Sequence, residues 1–393
     1  MKILLAHNYY QQPGGEDQVF HSERQLLNSY GHEVIQYDVH NDQLDDLTNF
    51  QLARMTLWNK KTSKNLQRIL QKERPHLVHF HNIFPLISPS AYYAVKTQGI
   101  PVIQTLHNYR IFCAQGMAFR DGNPCESCLN KPFAWPGIIH ACYRGSRLAT
   151  SGIVSRNFLH HYLSTWHSQV DTYIALTEFS RQKFIQGGLP SRKIIVKPNF
   201  VDSKQKIGKG EGNYALFVGR LVQEKGIDTL LQAWNNMDNQ VPLKIVGDGP
   251  LFEIVKEYSG KNSMVETLGK KDKKTVHSLM QNAAFLIFPS HSYENLPMVI
   301  PEAYAAGLPI IGSRLGNMTS LIKHQVTGLH FQHNDASDLV KQVEWALHNP
   351  KEMNQMRISA RKEFEERYTP EKNYSLLMKI YERAISEHGG KLA

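Results

Sequence analysis

The chain has 393 residues, 41% hydrophobic and 20% charged, which is a soluble globular composition too long for one ordinary core and therefore predicts two domains. No run approaches the roughly 20 apolar residues of a membrane span, and His7, Asn8 and Gln11 break the short apolar start of MKILLAHNYYQQPGG, so it reads as a first strand, with no secretory signal. A net charge of +10 and a pI near 9.2 favour anionic partners (phosphates, nucleic acid, an acidic membrane face) or a solvated basic surface without a partner.

Strand and helix signals then alternate. Lys2–His7 predicts a strand and Gln18–Tyr30 a helix, with Val19, Leu26 and Leu27 as its apolar positions. Glu33–Tyr37, Leu77–His81 and Pro101–His107 predict the next strands. Asp171–Leu176, Lys193–Lys197, Tyr214–Val218, Leu243–Val246, Phe285–Pro289 and Pro309–Gly312 continue the series. Repeated βα units imply parallel sheets covered by helices on both faces, and short runs such as ALFVG and FLIFP suit strands buried on both sides. The polar, glycine-bearing stretch DSKQKIGKGEG reads as a linker over 201–212, between domains at 1–200 and 213–370. Leu376, Leu377, Ile380, Tyr381 and Ile385 recur at helical spacing and predict a C-terminal helix over Pro370–His388, within a closing segment 371–393.

Two segments carry the chemistry. SHSYENLPMVIPEAYAAGLPIIGS, 290–313, follows a buried strand. It predicts a helix beginning near Leu296, with Pro297 at its start, Pro301 in its first turn and Glu302 upon it. The N–H groups of Asn295 and Leu296 at such a helix start would suit a diphosphate, and Glu294 and Glu302 can accept hydrogen bonds from sugar and ribose hydroxyls; alone, the two acids could equally serve the helix electrostatically. ALFVGRLVQEKGIDTLLQAW, 215–234, places Gly219, Arg220 and Lys225 at the end of a parallel strand, where open α/β sheets bind ligands. Two cations there can neutralise a diphosphate, or be ordinary surface charges. There is no G-x-G-x-x-G or Walker sequence, so dinucleotide and ATP readings lose support.

Together these segments resemble the retaining glycosyltransferases of family 4. Glu294 and Glu302 match the family's E-x7-E pattern, GRLVQEKG its GRL-x2-EKG element, and KPNFVD, KIVGDGP and VTGLHF follow in family order. The resemblance implies a GT-B fold: two Rossmann-like domains with parallel sheets facing across a cleft, and a C-terminal helix returning to the N-terminal domain. It implies transfer of a hexose-type sugar from a UDP- or GDP-sugar to a glycan or lipid-linked acceptor, in surface polysaccharide biosynthesis, with no cofactor required. Arg220 and Lys225 would hold the diphosphate in place of a divalent metal, Glu302 the ribose, and Glu294 the transferred sugar; Asn295, Leu296 and Pro297 would line the site through their backbone. His107 matches the family's histidine near the reaction centre, and Gly14 and Gly15 its glycine loop after the first strand. Gly316, Asn317, Met318, Thr319 and Ser320 stand where the family has Gly-Gly-x-Pro-Glu, a departure that leaves the sugar unnamed.

Two further features stand apart. Cys113, Cys125, Cys128 and Cys142 form C-x11-C-x2-C-x13-C, a spacing that suits a structural zinc or four reduced thiols. Over 54–74 lie Arg54, Lys60, Lys61, Lys64, Arg68, Lys72 and Arg74 against the single acid Glu73, with Leu57, Leu66, Ile69 and Leu70 on one helical face and Trp58 beside them. This reads as a helix lying on an anionic membrane from the cytoplasmic side, or as a solvated basic face packed through its leucines. A sugar-nucleotide epimerase or phosphorylase would share the fold but needs acid/base carboxylates that the sequence does not locate. A nucleic-acid-binding protein would need clustered aromatic and basic residues, whereas these are dispersed.

Overall fold

A computed structural model describes residues 1–12, 14–45, 47–202, 206–237 and 241–389. The chain divides into two compact units: Met1–Ala118, Cys125–Asn199 and the chain from Asn373 form the first, and Phe119–Pro124 with Phe200–Lys372 the second. The first unit's strands are β1 (Lys2–Tyr9), β2 (Glu33–His40), β3 (Leu77–Phe80) and β4 (Val102–Leu106). A small antiparallel hairpin, β5 (Phe119–Arg120) and β6 (Asn123–Pro124), belongs to the second unit. β7 (Thr172–Ala175) and β8 (Ile194–Val196) then complete a parallel sheet in the order β2-β1-β3-β4-β7-β8. β1, β3, β4 and β7 are nearly continuous buried runs, as strands covered on both faces must be. β2, at the edge, keeps its polar residues in solvent.

The second unit repeats the plan with β9 (Ala215–Val218), β10 (Leu243–Val246), β11 (Val265–Gly269), β12 (Phe285–Phe288), β13 (Ile310–Ser313) and β14 (Gly328–Phe331), parallel in the order β11-β10-β9-β12-β13-β14. The two Rossmann-like α/β units expected from the sequence are present. β11 and β14 were not legible as strands: VETLG is a half-exposed edge, and β14 opens on Gly328, where a Cβ would come 2.0 Å from the Ile310 carbonyl oxygen.

Three segments differ from expectation. The basic stretch 54–74 is two helices, Asn49–Leu57 and Lys60–Glu73, because Asn59 caps the second: its side-chain oxygen accepts from the Lys61 and Thr62 N–H groups at 3.0 and 3.1 Å. Leu66 and Leu70 are buried in the protein, so they are not free to enter a bilayer, while Lys60, Lys61, Lys64, Arg68 and Lys72 stay exposed. The helix expected near Leu296 starts at Val299 and ends at Ala305. In the stretch read as a linker, Ser203, Lys204 and Gln205 lie outside the described residues, but Gly208, Gly210 and Gly212 donate their N–H groups to the carbonyls of Ala306, Gln281 and Asn282 within the second unit. The C-terminal helix runs Pro370–Glu387; residues 390–393 of the closing segment lie outside the described residues. Among the described residues no helix is long and apolar enough to cross a membrane.

From Asn373 on, that last helix is part of the first unit. Leu377, Tyr381, Ala384 and Ile385 share one buried cluster with Ile3 and Leu5 of β1, Phe20 and Leu27 of the helix Gly15–Ser29, and Ile103 of β4. The Tyr381 hydroxyl lies 2.8 Å from His79 Nδ1. Leu377→Ala removes a fully buried side chain and should destabilise this unit by about 2–5 kcal/mol. Urea unfolding should show a lower midpoint, and an unchanged midpoint would mean that the helix packs without stabilising the sheet.

Candidate active site

In each sheet the strand order reverses once, between β1 and β3 in the first and between β9 and β12 in the second. Loops leaving the C-terminal ends of the two strands diverge there and open a crevice for ligands. Every sequence-predicted site residue, the cysteines apart, lies on such a loop, on the helix that follows it, or just beyond β4.

In the second unit, the loop after β9 is strapped to the turn after β10. The Gly219 and Leu221 N–H groups donate to Val246 and Asp248 at 3.0 and 2.9 Å. Gly247 (φ +151°) must lack a side chain, since a Cβ would sit 1.8 Å from the Gly219 carbonyl oxygen. Gly226 (φ +70°) lets the chain turn beneath Pro289, whose carbonyl oxygen would lie 1.9 Å from a Cβ. The Glu224 carbonyl then accepts the His291 N–H at 2.9 Å and lies 3.0 Å from the Ser290 hydroxyl oxygen, which stitches this loop to the one after β12.

The stitching brings Lys225 Nζ to 2.6 Å from Glu294 Oε1, and Ser290 donates to the same oxygen at 2.8 Å. The two side chains are 22% and 14% exposed, so the pair is partly shielded yet reachable. Lys225 and Glu294, read as holding different parts of a donor, are here partners of each other. Asn295, Leu296 and Pro297 precede the helix as loop, so the expected N–H groups belong to that loop. The Asn317 amide donates to the Asn295 carbonyl, and the side-chain oxygens of both asparagines are buried without partners. Glu302 lies half-buried in the first turn of Val299–Ala305, and Arg220 is exposed on the β9 loop.

In the first unit, Gly14 and Gly15 open the helix Gly15–Ser29. Asp17 Oδ2 accepts the Gly14 N–H at 2.7 Å, and its other oxygen lies 2.7 Å from His7 Nε2. Gly14 has an ordinary φ of −118°, and a Cβ there would meet nothing nearer than 3.9 Å, so the chain's own packing does not require glycine. Glu16, not predicted from sequence, follows: its Oε2 is buried without a partner. Burial raises its carboxyl to about 7, against the lowering effect of hydrogen bonds from Tyr10 and Asn108 and of the Arg110 charge.

His107 leaves β4 as expected and joins a buried network that sequence reasoning missed. Glu23 Oε1 is 3.0 Å from His81 Nε2, His81 Nδ1 is 3.0 Å from His107 Nε2, and Glu23 Oε2 accepts from Lys197 Nζ at 3.0 Å. Burial alone would raise the Glu23 carboxyl, but Lys197, His79 and His81 hold it well below its ordinary value. Burial, and then the neighbouring histidines, keep His107 well below its own, so it is neutral at pH 7. The protons follow. An ionised Glu23 only accepts, so His81 carries its proton on Nε2 and accepts at Nδ1; His107 therefore donates from Nε2 and keeps Nδ1 as an acceptor. The signal for this network is HFHN at 79–82, two polar rings on one face of a buried strand.

Glu23, His79 and His81 are also grouped closely enough to hold a metal ion, their candidate ligand atoms lying within 4.8 Å of one another. Lys197 already supplies the cationic partner there. Cys113, Cys125, Cys128 and Cys142 are half-buried free thiols. Among the described residues no three of their sulfurs gather within 4.8 Å, so the tetrahedral set expected from the spacing is not assembled. Burial, and next the neighbouring Cys113, push the Cys128 thiol up to about 11, with Cys142 and Cys125 adding to the effect.

Comparisons with known proteins agree with the two-unit α/β fold. Residues 19–205 match the model of Glycosyltransferase Family 4, and residues 200–363 that of Glycosyl transferases group 1. The chain is 27% identical over 314 residues to an uncharacterized glycosyltransferase of Methanocaldococcus jannaschii, covering 78% of this chain and 83% of that one. It is 29% identical over 174 residues to an O-antigen chain mannosyltransferase of Escherichia coli, 43% of this chain and 46% of the relative. Among solved structures, HepE of Anabaena in complex with UDP superimposes with a TM-score of 0.69 at 16% identity over 96% of this chain and 99% of that one. Sucrose-phosphate synthase of Thermosynechococcus elongatus does so at 0.72 and 15%, over 98% and 99%.

Glu16 sets a pH test. Its folded value near 7 lies above the ordinary 4.5, so the stability it contributes is complete below about 4.5 and is lost as pH rises through 7. Glu16→Gln mimics the protonated form. Its melting temperature should gain on the parent's progressively from pH 5 to pH 8; a constant difference across that range would show that Glu16 does not titrate there.

Proposed function

The chain belongs to the family 4 glycosyltransferases, enzymes of the GT-B type, and on that premise we propose that it moves a hexose-type sugar, with retained anomeric configuration, from a UDP- or GDP-sugar to a glycan or lipid-linked acceptor in surface polysaccharide biosynthesis. The observation that carries this reading is the Lys225–Glu294 pair at the strand-order reversal of the second sheet, beside the two unpartnered side-chain oxygens of Asn295 and Asn317. A diphosphate draws Lys225 away from Glu294 and adds Arg220. Glu294 and the asparagine oxygens are then acceptors for sugar hydroxyls, and Glu302 for those of the ribose. Asn295, Leu296 and Pro297 contribute backbone to the same site. That HepE is described in complex with UDP and glucose supports a nucleotide-sugar donor here.

The chemistry follows from charge. As the bond from the anomeric carbon to the phosphate oxygen breaks, the sugar becomes positive and the diphosphate negative. Arg220 and Lys225 stabilise the departing charge, in the role a divalent metal would otherwise fill. The acceptor oxygen bonds the anomeric carbon from the same face, and its proton passes to the leaving phosphate. Neutral His107 offers Nδ1 to a sugar hydroxyl. The loop at Gly14 and Gly15, free of a Cβ at Gly14, lets substrate approach the backbone. The exposed lysine stripe of the helix Lys60–Glu73 would meet an anionic cytoplasmic membrane face by charge alone, since its leucines are engaged inside the protein.

A donor screen tests the reading. Among UDP-, GDP- and ADP-sugars, one nucleotide class should raise the melting temperature and be released on addition of acceptor. Lys225→Ala should lower kcat/KM about 100-fold or more, and Glu302→Ala should abolish the thermal shift. If no nucleotide stabilises the protein, the assignment of a donor site is wrong.

A further inference from the structure

The first unit holds a pocket of whose lining the transfer chemistry above uses only His107. It has a volume of about 60 Å³ and is lined by His107, Arg110, Arg156, Phe84, Tyr92 and Trp166, among others. At ~10–15 Å³ for each water position, that is room for roughly four waters, or for one carboxylate or phosphate group.

Arg156, on the helix Arg147–Tyr162, is 3% exposed. Its guanidinium donates only to neutral oxygens: Nε and Nη2 to Asn157 Oδ1 at 3.1 and 2.7 Å, and Nη2 to the Arg110 carbonyl at 3.4 Å. Among the described residues, no carboxylate lies within 4.0 Å of either arginine's guanidinium. Arg110 donates from Nη1 to the Ala114 carbonyl at 3.0 Å, while its Nε is buried without a partner. The two guanidinium carbons lie 4.2 and 5.1 Å from the centroid of the same ring, Phe84. Burial, and next the Arg110 charge, pull Arg156 down to about 9. The Arg110 charge acts to lower the Glu16 carboxyl, which burial raises to about 7.

Two guanidinium groups around one ring, one of them buried and neither ion-paired, form an arrangement that costs stability unless a counter-charge arrives. Stacking on Phe84 contributes ~0.5–2 kcal/mol but no negative charge. Guanidinium forks match the paired oxygens of a carboxylate or phosphate. We propose that this pocket binds an oxyanion carried by the acceptor, a phosphate or a carboxylate, and holds it beside His107. The word acceptor rests on the glycosyltransferase reading; the oxyanion site itself does not.

The test is calorimetric titration with methyl phosphate, glucuronate and neutral glucose, on the parent protein, Arg156→Gln, Arg110→Gln and Lys225→Ala. At least one oxyanion should bind the parent while glucose does not, and the tighter of the two identifies the acceptor's group. Binding should weaken at least about tenfold in Arg156→Gln and persist in Lys225→Ala. If Arg156→Gln does not fold, Arg110→Gln carries the same expectation. Absence of binding to the parent, or equal binding in the arginine variants, overturns the proposal. Nucleotide-induced stabilisation measured on the same samples reports separately on the donor reading: it should survive Arg156→Gln, and its absence from the parent would sink that reading without touching the oxyanion result.

Discussion

A carboxylate buried at 1% exposure persists only if its charge is answered on the spot. Glu23 is answered from several directions: by Lys197 just past β8, by His81 just past β3, and by His79 within β3 at 3.1 Å. Lys197 also donates to Asn373 at 3.2 Å, and His79 reaches Tyr381, both on the C-terminal helix. The helix Gly15–Ser29, two strands of the sheet and the last helix of the chain are thus tied through one charge. Shifting any of them would leave an ion unpaired in the interior. The same constraint passes along His81 to His107 and decides which of its nitrogens carries a proton.

The second unit reaches comparable definition by other means. Its crevice depends on close backbone approach: Gly226 under Pro289 and Gly247 against Gly219 hold the β9, β10 and β12 loops too near one another for side chains. The Glu224 carbonyl, accepting the His291 N–H of the β12 loop, then sets the separation at which Lys225 and Glu294 pair. Motifs such as GRLVQEKG and KIVGDGP are informative because their glycines are steric requirements and their charges sit on the rigid turns those glycines permit.

Electrostatically the two units contrast. In the second, the cation at the crevice already has an acid beside it, so a ligand must exchange one partner for another, which favours a molecule bearing both a diphosphate and hydroxyls. In the first, no acid among the described residues lies at contact distance from Arg110 or Arg156, so a simple oxyanion would add a partner without displacing one. The buried polar atoms without a partner, the asparagine oxygens in one unit and Arg110 Nε in the other, differ in kind: the first can accept from hydroxyls and the second can donate to an oxyanion.

Much of this was legible in the residues alone. Ten strand positions followed from apolar runs, since a strand covered on both faces has few other compositions; VETLG escaped because an edge strand keeps polar residues. The identities of Arg220, Lys225, Glu294 and Glu302 as site candidates followed from their place after buried strands. The partners of Glu23, the pairing of Lys225 with Glu294 and the convergence of Arg110 and Arg156 on Phe84 did not follow. Sequence alone determined most of the buried strands and the turns that follow them, because apolar runs and turn residues depend on neighbours a few positions apart. Only the tertiary structure decided which charges meet, because Lys197 lies 174 residues from Glu23 and no local pattern encodes that distance.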